Sequence, residues 1–161
     1  MTREIERLED QLRRSFTGDA WHGPAVLVVL AGVAADQAAA HPVAGAHSIW
    51  ELVLHLAGTY RLVLRRLGGG GAQLSPEDDW PAVPAATREN WRDSVETLRR
   101  LNQDLRRAVR AFDPDRLDAV LVADPPYTAY TQFVGITQHD LYHAGQIAML
   151  KRALGPQARN E

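Results

Sequence analysis

The segment Ser48-Ile-Trp-Glu-Leu-Val-Leu-His-Leu-Ala-Gly-Thr-Tyr-Arg-Leu-Val-Leu-Arg-Arg-Leu67 has the clearest helical pattern in the chain. Its apolar residues recur every three or four positions, the spacing that places side chains on one face of an α-helix. That face carries Ile49, Leu52, Val53, Leu56, Tyr60, Val63, Leu64 and Leu67. Because Ser48 and Glu51 have the spacing of a capping box and a glycine run follows at Gly68–Gly71, a helix is predicted between these signals.

Other segments share this periodicity. A first helix is predicted over about Thr2–Phe16, and after a glycine-bounded break it resumes as a buried helix over Pro24–Val33. Two longer helices are predicted over roughly Thr87–Phe112 and Thr128–Leu154, the last ending at Gly155-Pro156. Proline suits the first turn of a helix, and glycine followed by proline suits its end.

The two longer connections, Gly68–Ala86 and Asp113–Tyr127, contain turn-forming residues that are compatible with short helical turns. Strand signals are nearly absent. Four main helices in one chain can bury their apolar faces only against one another. The sequence therefore predicts an all-α fold, an antiparallel helical bundle in a single domain over residues 1–161.

Composition excludes several classes of function. The chain has 161 residues, a formal net charge of −2 and no cysteine, which rules out disulfides, thiolate metal sites and a cysteine nucleophile. The near-neutral balance argues against nucleic-acid binding. No apolar run approaches the roughly 18–20 residues of a membrane span, and the charged N-terminus lacks the pattern of a signal peptide. We therefore expect a cytoplasmic protein without a membrane or nucleic-acid partner.

The segment Gln138–Gln146 carries the sharpest chemical signal, because His139 and His143 are four residues apart. On a helix that spacing puts both imidazoles on one face, where their nitrogens can reach a single metal ion. The spacing alone is weak evidence, since hydrogen-bonded histidines in a core are the alternative. Position 140 is Asp, so the Glu base of the H-E-x-x-H metalloprotease motif is missing.

A third candidate ligand is His55, which lies between leucines in the middle of the Ser48–Leu67 helix. Taken with His139 and His143 on a facing helix, it gives three nitrogen ligands and leaves coordination positions open, as in catalytic metal sites. The remaining histidines lie in predicted turns and loops and are less suited to the site; they are His22, His41 and His47.

Four further residues are candidates to support these ligands or to line a pocket. Glu51 lies one helical turn before His55 and could orient it, although the capping box already explains its presence. Asp140, Tyr142 and Gln146 flank the two histidines of the last helix. Packing is the alternative for the tyrosine. No residue is singled out as a general base.

The stretches Gly45–His55 and His139–Ile147 resemble the DinB-like (damage-inducible, YfiT-like) superfamily in sequence, order and separation. The resemblance implies a four-helix bundle with up-down-down-up connectivity and a long crossover, which Gly68–Ala86 could provide. It also implies a divalent metal held by three histidines, carried over to His55, His139 and His143, with water completing the shell. A homodimer formed through helix faces is implied as well.

The resemblance suggests a function but leaves alternatives. Relatives in this superfamily include thiol S-transferases, in which a metal activates a low-molecular-weight thiol such as bacillithiol or mycothiol, while others have been proposed to be hydrolases. We therefore expect a metal-dependent thiol S-transferase acting on small electrophiles. The alternatives are a metal-dependent hydrolase, a non-catalytic bundle that binds a small ligand or partner around a structural metal, and a metal-free core. Zn, Ni, Fe and Mn all remain possible ions, because imidazole serves several metals.

Overall fold

Helices make up most of the computed structural model, which describes residues 3–70 and 73–155. They are α1 (Arg3–Thr17), α2 (Val26–Leu30), α3 (Ala35–Ala39), α4 (Ile49–Leu67), α5 (Pro76–Asp79), α6 (Arg88–Arg110) and α7 (Ala129–Ala153). Two short strands, β1 (Val120–Ala123) and β2 (Pro126–Thr128), precede α7. The prediction of a mainly helical fold is confirmed. Three residues used to predict where helices begin or end lie outside the described residues: Thr2, Gly71 and Pro156.

Side-chain caps explain where the three longest helices begin. The Ser48 hydroxyl accepts a hydrogen bond from the Glu51 N–H, and the Glu51 carboxylate accepts one from the Ser48 N–H at 2.6 Å, which confirms the predicted capping box. Thr87 and Thr128 cap α6 and α7 in the same position. Each cap satisfies a backbone donor that the first turn leaves without a partner.

The four long helices pack pairwise around a common core. Both α1 and α4 contact α6 and α7. The predicted apolar face of α4 lies in this core, with Leu64 and Leu67 at its half-buried end. The largest fully buried side chains include Trp50, Tyr60 and Phe133. None of the helices in the described parts of the chain has the length and apolar character needed to cross a bilayer.

The predicted helix over Pro24–Val33 is wrong in its extent. The helix α2 ends at Leu30, and α3 begins after a turn in which Gly32 has a φ of +74°. Residues other than glycine rarely adopt this conformation, so the turn interrupts the apolar run. Pro24 lies before the N-cap residue rather than in the first turn.

The connection Asp113–Tyr127 contains a β-ribbon that the all-α prediction lacks. A 3₁₀ turn at Pro114–Arg116 is followed by antiparallel β1 and β2, with Val122 opposite Tyr127. The β-branched Val120 and Val122 favour extended backbone. This ribbon is local, so the mainly helical architecture stands with one correction.

The other connection contains the short helix α5, in agreement with the turn expected there. Ser75 caps this helix by accepting a hydrogen bond from the Asp78 N–H. The helix α5 packs against α4. This contact matters for function because it brings Asp79 and Trp80 beside His55.

Candidate metal centre

Three histidine side chains from two helices meet in the structure. His55 comes from the middle of α4, and His139 and His143 lie one turn apart on α7. The Nε2 atom of His139 lies 2.9 Å from Nε2 of His55 and 3.0 Å from Nε2 of His143. One ligand atom from each residue lies within 4.8 Å of the others. The structure thus brings together the three histidines singled out in the sequence.

The outer nitrogens of two of these rings face hydrogen-bond acceptors. Nδ1 of His55 lies 2.9 Å from the main-chain oxygen of Asp79 and 3.0 Å from Oδ1 of the same residue. Nδ1 of His143 lies 2.6 Å from the side-chain oxygen of Gln146. Because both acceptors favour a proton on Nδ1, they leave a lone pair on each Nε2. Those lone pairs point toward the centre of the group.

The three inner nitrogens suit a cation better than they suit one another. A neutral His139 has one ring proton, so its Nε2 can donate to only one of its two neighbours. Its Nδ1 is buried and has no hydrogen-bond partner among the described residues. A divalent ion would accept all three Nε2 lone pairs at once, and imidazole nitrogen is a common ligand for such ions. The donor set therefore fits the metal that the sequence predicted.

Burial keeps two of the rings neutral. Removal from water, followed by the nearby His143 and His55, lowers the pKa of His139 to about 3. Burial also lowers the pKa of His143, against the opposing effect of its hydrogen bond to Gln146. Both rings are consequently uncharged at neutral pH, the state that a metal ligand requires.

A family model described as the DinB superfamily matches residues 20–147, a range that includes all three histidines. The chain belongs to the DinB superfamily. No curated protein and no solved structure matches the chain. Membership in the DinB superfamily confirms the family resemblance of Gly45–His55 and His139–Ile147.

Of the supporting residues proposed in this DinB-superfamily chain, Gln146 is the one that contacts a ligand by a hydrogen bond, as described above. Glu51 lies elsewhere: its carboxylate accepts from the Ser48 N–H and lies 2.9 Å from Nε2 of His41. These contacts leave it as a cap, and none of its described contacts reaches His55. Tyr142 is exposed, and its ring makes a T-shaped contact with the His143 ring, with centroids 5.1 Å apart.

Asp140 lies in the core rather than beside the imidazoles' outer nitrogens. Its carboxylate accepts hydrogen bonds from the Tyr60 hydroxyl at 2.6 Å and from the Ser15 hydroxyl at 2.9 Å. Burial raises its pKa to about 7, although both hydrogen bonds act in the opposite direction. Asp140, the residue after His139, thus joins α7 to α4 and α1.

Asp79 and Trp80 are not among the candidate site residues that the sequence singles out. The Trp80 ring stacks on His55 and on His47, with centroids 4.2 and 3.5 Å apart and interplanar angles of 5° in both pairs. The approach of Asp79 and Trp80 to His55 depends on Gly58 in α4, where a Cβ atom would lie 2.6 Å from the main-chain oxygen of Asp78. A glycine inside a strongly patterned helix was the one signal available, since it often marks a close approach.

A cavity of about 790 Å³ opens beside His143. Its walls come from the segment before α4, from Trp80, and from α4 and α7. The residues that line it are Val43, Gly45, Ala46, His47, Leu52, Trp80, Tyr142, His143, Gly145, Gln146, Met149 and Leu150. The volume is within the range of small-molecule sites.

Proposed function

We propose that this DinB-superfamily protein is a divalent-metal-dependent thiol S-transferase that acts on small electrophiles. The observation that carries the metal part is the convergence of three Nε2 atoms whose rings are oriented from outside by Asp79 and Gln146. The transfer reaction is supported by the resemblance to relatives that activate low-molecular-weight thiols.

The residues have distinct roles in this proposal. His55, His139 and His143 would hold the ion through Nε2, while Asp79 and Gln146 keep the Nδ1 protons in place. A divalent ion held by neutral ligands lowers the pKa of a bound thiol and so raises the thiolate fraction near neutral pH. The thiol releases its proton to solvent, its sulfur forms a bond to the electrophilic carbon, and the leaving group departs with the electron pair.

Elemental analysis tests the metal part. Protein purified without a polyhistidine tag is expected to contain about one divalent ion per chain, and the measured element selects among Zn, Ni, Fe and Mn. His143→Ala removes one of three ligands and is expected to lose stoichiometric metal. His22→Ala is a suitable control, because His22 lies outside the group of clustered histidines. Full metal content in His143→Ala would overturn the ligand assignment.

A coupled assay tests the reaction. Metal-loaded protein is mixed with 1-chloro-2,4-dinitrobenzene and, in turn, cysteine, N-acetylcysteine, bacillithiol and mycothiol. We expect product formation that needs both the thiol and the metal and that is lost in His143→Ala. No transfer with any of these thiols would contradict the proposal. Ester hydrolysis at a rate that does not change when thiol is added would instead favour a hydrolase. Metal removal that lowers thermal stability without affecting ligand or partner binding would favour a structural metal.

The proposal includes the arrangement of the helices and the assembly. An up-down-down-up bundle, with its crossover in Gly68–Ala86, agrees with the contacts of both α1 and α4 with α6 and α7. The homodimer rests on the family resemblance. Light scattering coupled to gel filtration is expected to give twice the mass of one chain, and a monomer mass at micromolar concentration would reject the dimer.

A further inference from the structure

The walls of the cavity beside His143 carry large apolar side chains that are exposed to solvent. Three of the exposed large apolar side chains lie at this cavity: Val43, Tyr142 and Met149, with 45%, 66% and 65% of their surface accessible. The buried Leu52 and Leu150 extend this apolar surface inward. Large apolar side chains gathered at a concave surface mark a site that another apolar molecule covers.

The described side chains of these walls carry no formal charge other than what a histidine can acquire. Among the described lining residues there is no Lys, Arg, Asp or Glu. Few polar side-chain groups remain among the described lining residues: with the side-chain oxygen of Gln146 paired with His143, they are its amide N–H groups, the Tyr142 hydroxyl and the ring nitrogens of Trp80 and His47. In metal-free protein, a charged group would therefore lose water in the cavity without gaining an oppositely charged side chain from these walls, which is unfavourable.

Gly145 keeps part of the cavity open. It lies inside α7, where glycine is destabilising relative to alanine. A Cβ atom at this position would meet nothing within 4 Å, so packing against the rest of the protein does not require a glycine here. Gly145 lines the cavity and lies two residues after His143 in the chain. Its missing side chain therefore leaves room next to a metal ligand.

We infer that this cavity binds the electrophilic substrate, and that the part of this substrate held by the walls is apolar. The inference rests on the proposed function, in which a thiol and an electrophile meet at the metal. Low-molecular-weight thiols that carry several sugar hydroxyls or carboxylates would leave many of those groups without partners against these mostly apolar walls. An apolar electrophile in the cavity has His143 as part of its wall, so its reactive atom can lie next to the metal centre.

Ligand binding can be measured separately from catalysis with the neutral fluorophore N-phenyl-1-naphthylamine. Titrations use metal-free and metal-loaded protein, each as wild type, Gly145→Leu and Gly135→Leu. The leucine at 145 projects into the cavity. Gly135 is the matched control, because it also lies inside α7 with open space at its Cβ position and does not line the cavity. Circular dichroism checks that both variants remain folded.

We expect saturable binding to wild type and to Gly135→Leu, and at least tenfold weaker binding to Gly145→Leu. In metal-free protein, the anionic relative 1-anilinonaphthalene-8-sulfonate is expected to bind wild type at least tenfold more weakly than the neutral fluorophore. Equal affinity of the two fluorophores, or equal affinity of wild type and Gly145→Leu for the neutral one, would overturn the inference.

Two further outcomes separate this inference from its alternatives. If Gly145→Leu weakens self-association and leaves fluorophore binding unchanged, a second copy of the chain covers the cavity and the inference is wrong. If the fluorophore binds as expected but the protein holds no metal or transfers no thiol, the proposed function fails while the apolar site stands. The two hypotheses therefore fail by different measurements.

Discussion

The substitution Gly58→Ala should weaken metal binding, because it should push α5 away from α4. In an open helix interior, replacing glycine with alanine stabilises a protein by up to about 1 kcal/mol. At Gly58 the new Cβ would lie 2.6 Å from the main-chain oxygen of Asp78, closer than the 3.0 Å that real Cβ atoms respect. The helix α5 must then retreat from α4, so the usual gain should become a loss.

The size of this retreat can be worked from the distances. A movement of α5 by about 0.4 Å reaches the 3.0 Å lower limit, and about 0.8 Å reaches ordinary contact at 3.4 Å. A movement of this size would take the 2.9 Å contact between Nδ1 of His55 and the Asp79 oxygen to about 3.3–3.7 Å, the outer limit of a hydrogen bond. Overpacking costs about 1–3 kcal/mol. Losing the partner of a metal-binding histidine typically weakens metal affinity by about 10–100-fold.

Two measurements check this prediction. Urea unfolding of metal-free protein should show Gly58→Ala to be less stable than wild type by about 1–2 kcal/mol, and competition with a zinc chelator should show at least about tenfold weaker binding. Gly135→Ala is the control, because its Cβ would meet nothing within 4 Å. If Gly58→Ala gains stability as the control does and binds zinc as tightly as wild type, α5 does not position His55.

Three other changes have defined outcomes. Gln146→Met keeps the length of the side chain but removes the acceptor for Nδ1 of His143, so chelator competition should show about 10–100-fold weaker zinc binding. Asp140→Asn should become more favourable relative to wild type as the pH rises from about 4 to 7, measured by urea unfolding of metal-free protein. Lys151→Met removes the donor to two main-chain carbonyls at the end of α2 and should lower the free energy of unfolding by about 1–3 kcal/mol.

The sign of the pH effect at Asp140 follows from its raised pKa. Between the ordinary value of 3.8 and about 7, the folded protein keeps a proton that the unfolded chain has released. Stability of the wild type therefore falls with rising pH in this window, by at most about 1.4 kcal/mol per pH unit. Asparagine does not titrate, and the histidines contribute equally to both proteins. A stability difference that stays constant from pH 4 to 7 would show that Asp140 is not protonated in the fold.

Controls are available for the other two changes. Asn102→Ala alters a buried polar residue near Tyr60 and should leave zinc affinity unchanged, so an equal loss of affinity there would deny Gln146 a specific role. Arg152→Met removes a neighbouring exposed cation and should change stability by less than about 0.5 kcal/mol. If Lys151→Met does no more than this, its hydrogen bonds do not stabilise the end of α2.

The parts of the fold that could be predicted are those with local causes. The start of α4 follows from Ser48 and Glu51, which satisfy backbone donors within one helical turn. The predicted long helices over Thr87–Phe112 and Thr128–Leu154 match α6 and α7 closely, because apolar periodicity reports directly on a buried face. The predicted helix over Pro24–Val33 is too long because the chain turns at Gly32. The apolar run continues through this turn, so it does not reveal the positive φ.

By itself, the sequence determined that His139 and His143 share a helix face, because 3.6 residues per turn place positions four apart on the same side. The tertiary structure decided which groups hold the rings. Asp79 reaches His55 across 24 positions of the chain, and it does so only because Gly58 lets α5 approach α4. Such contacts depend on how separate helices pack, and no local spacing in the chain encodes them.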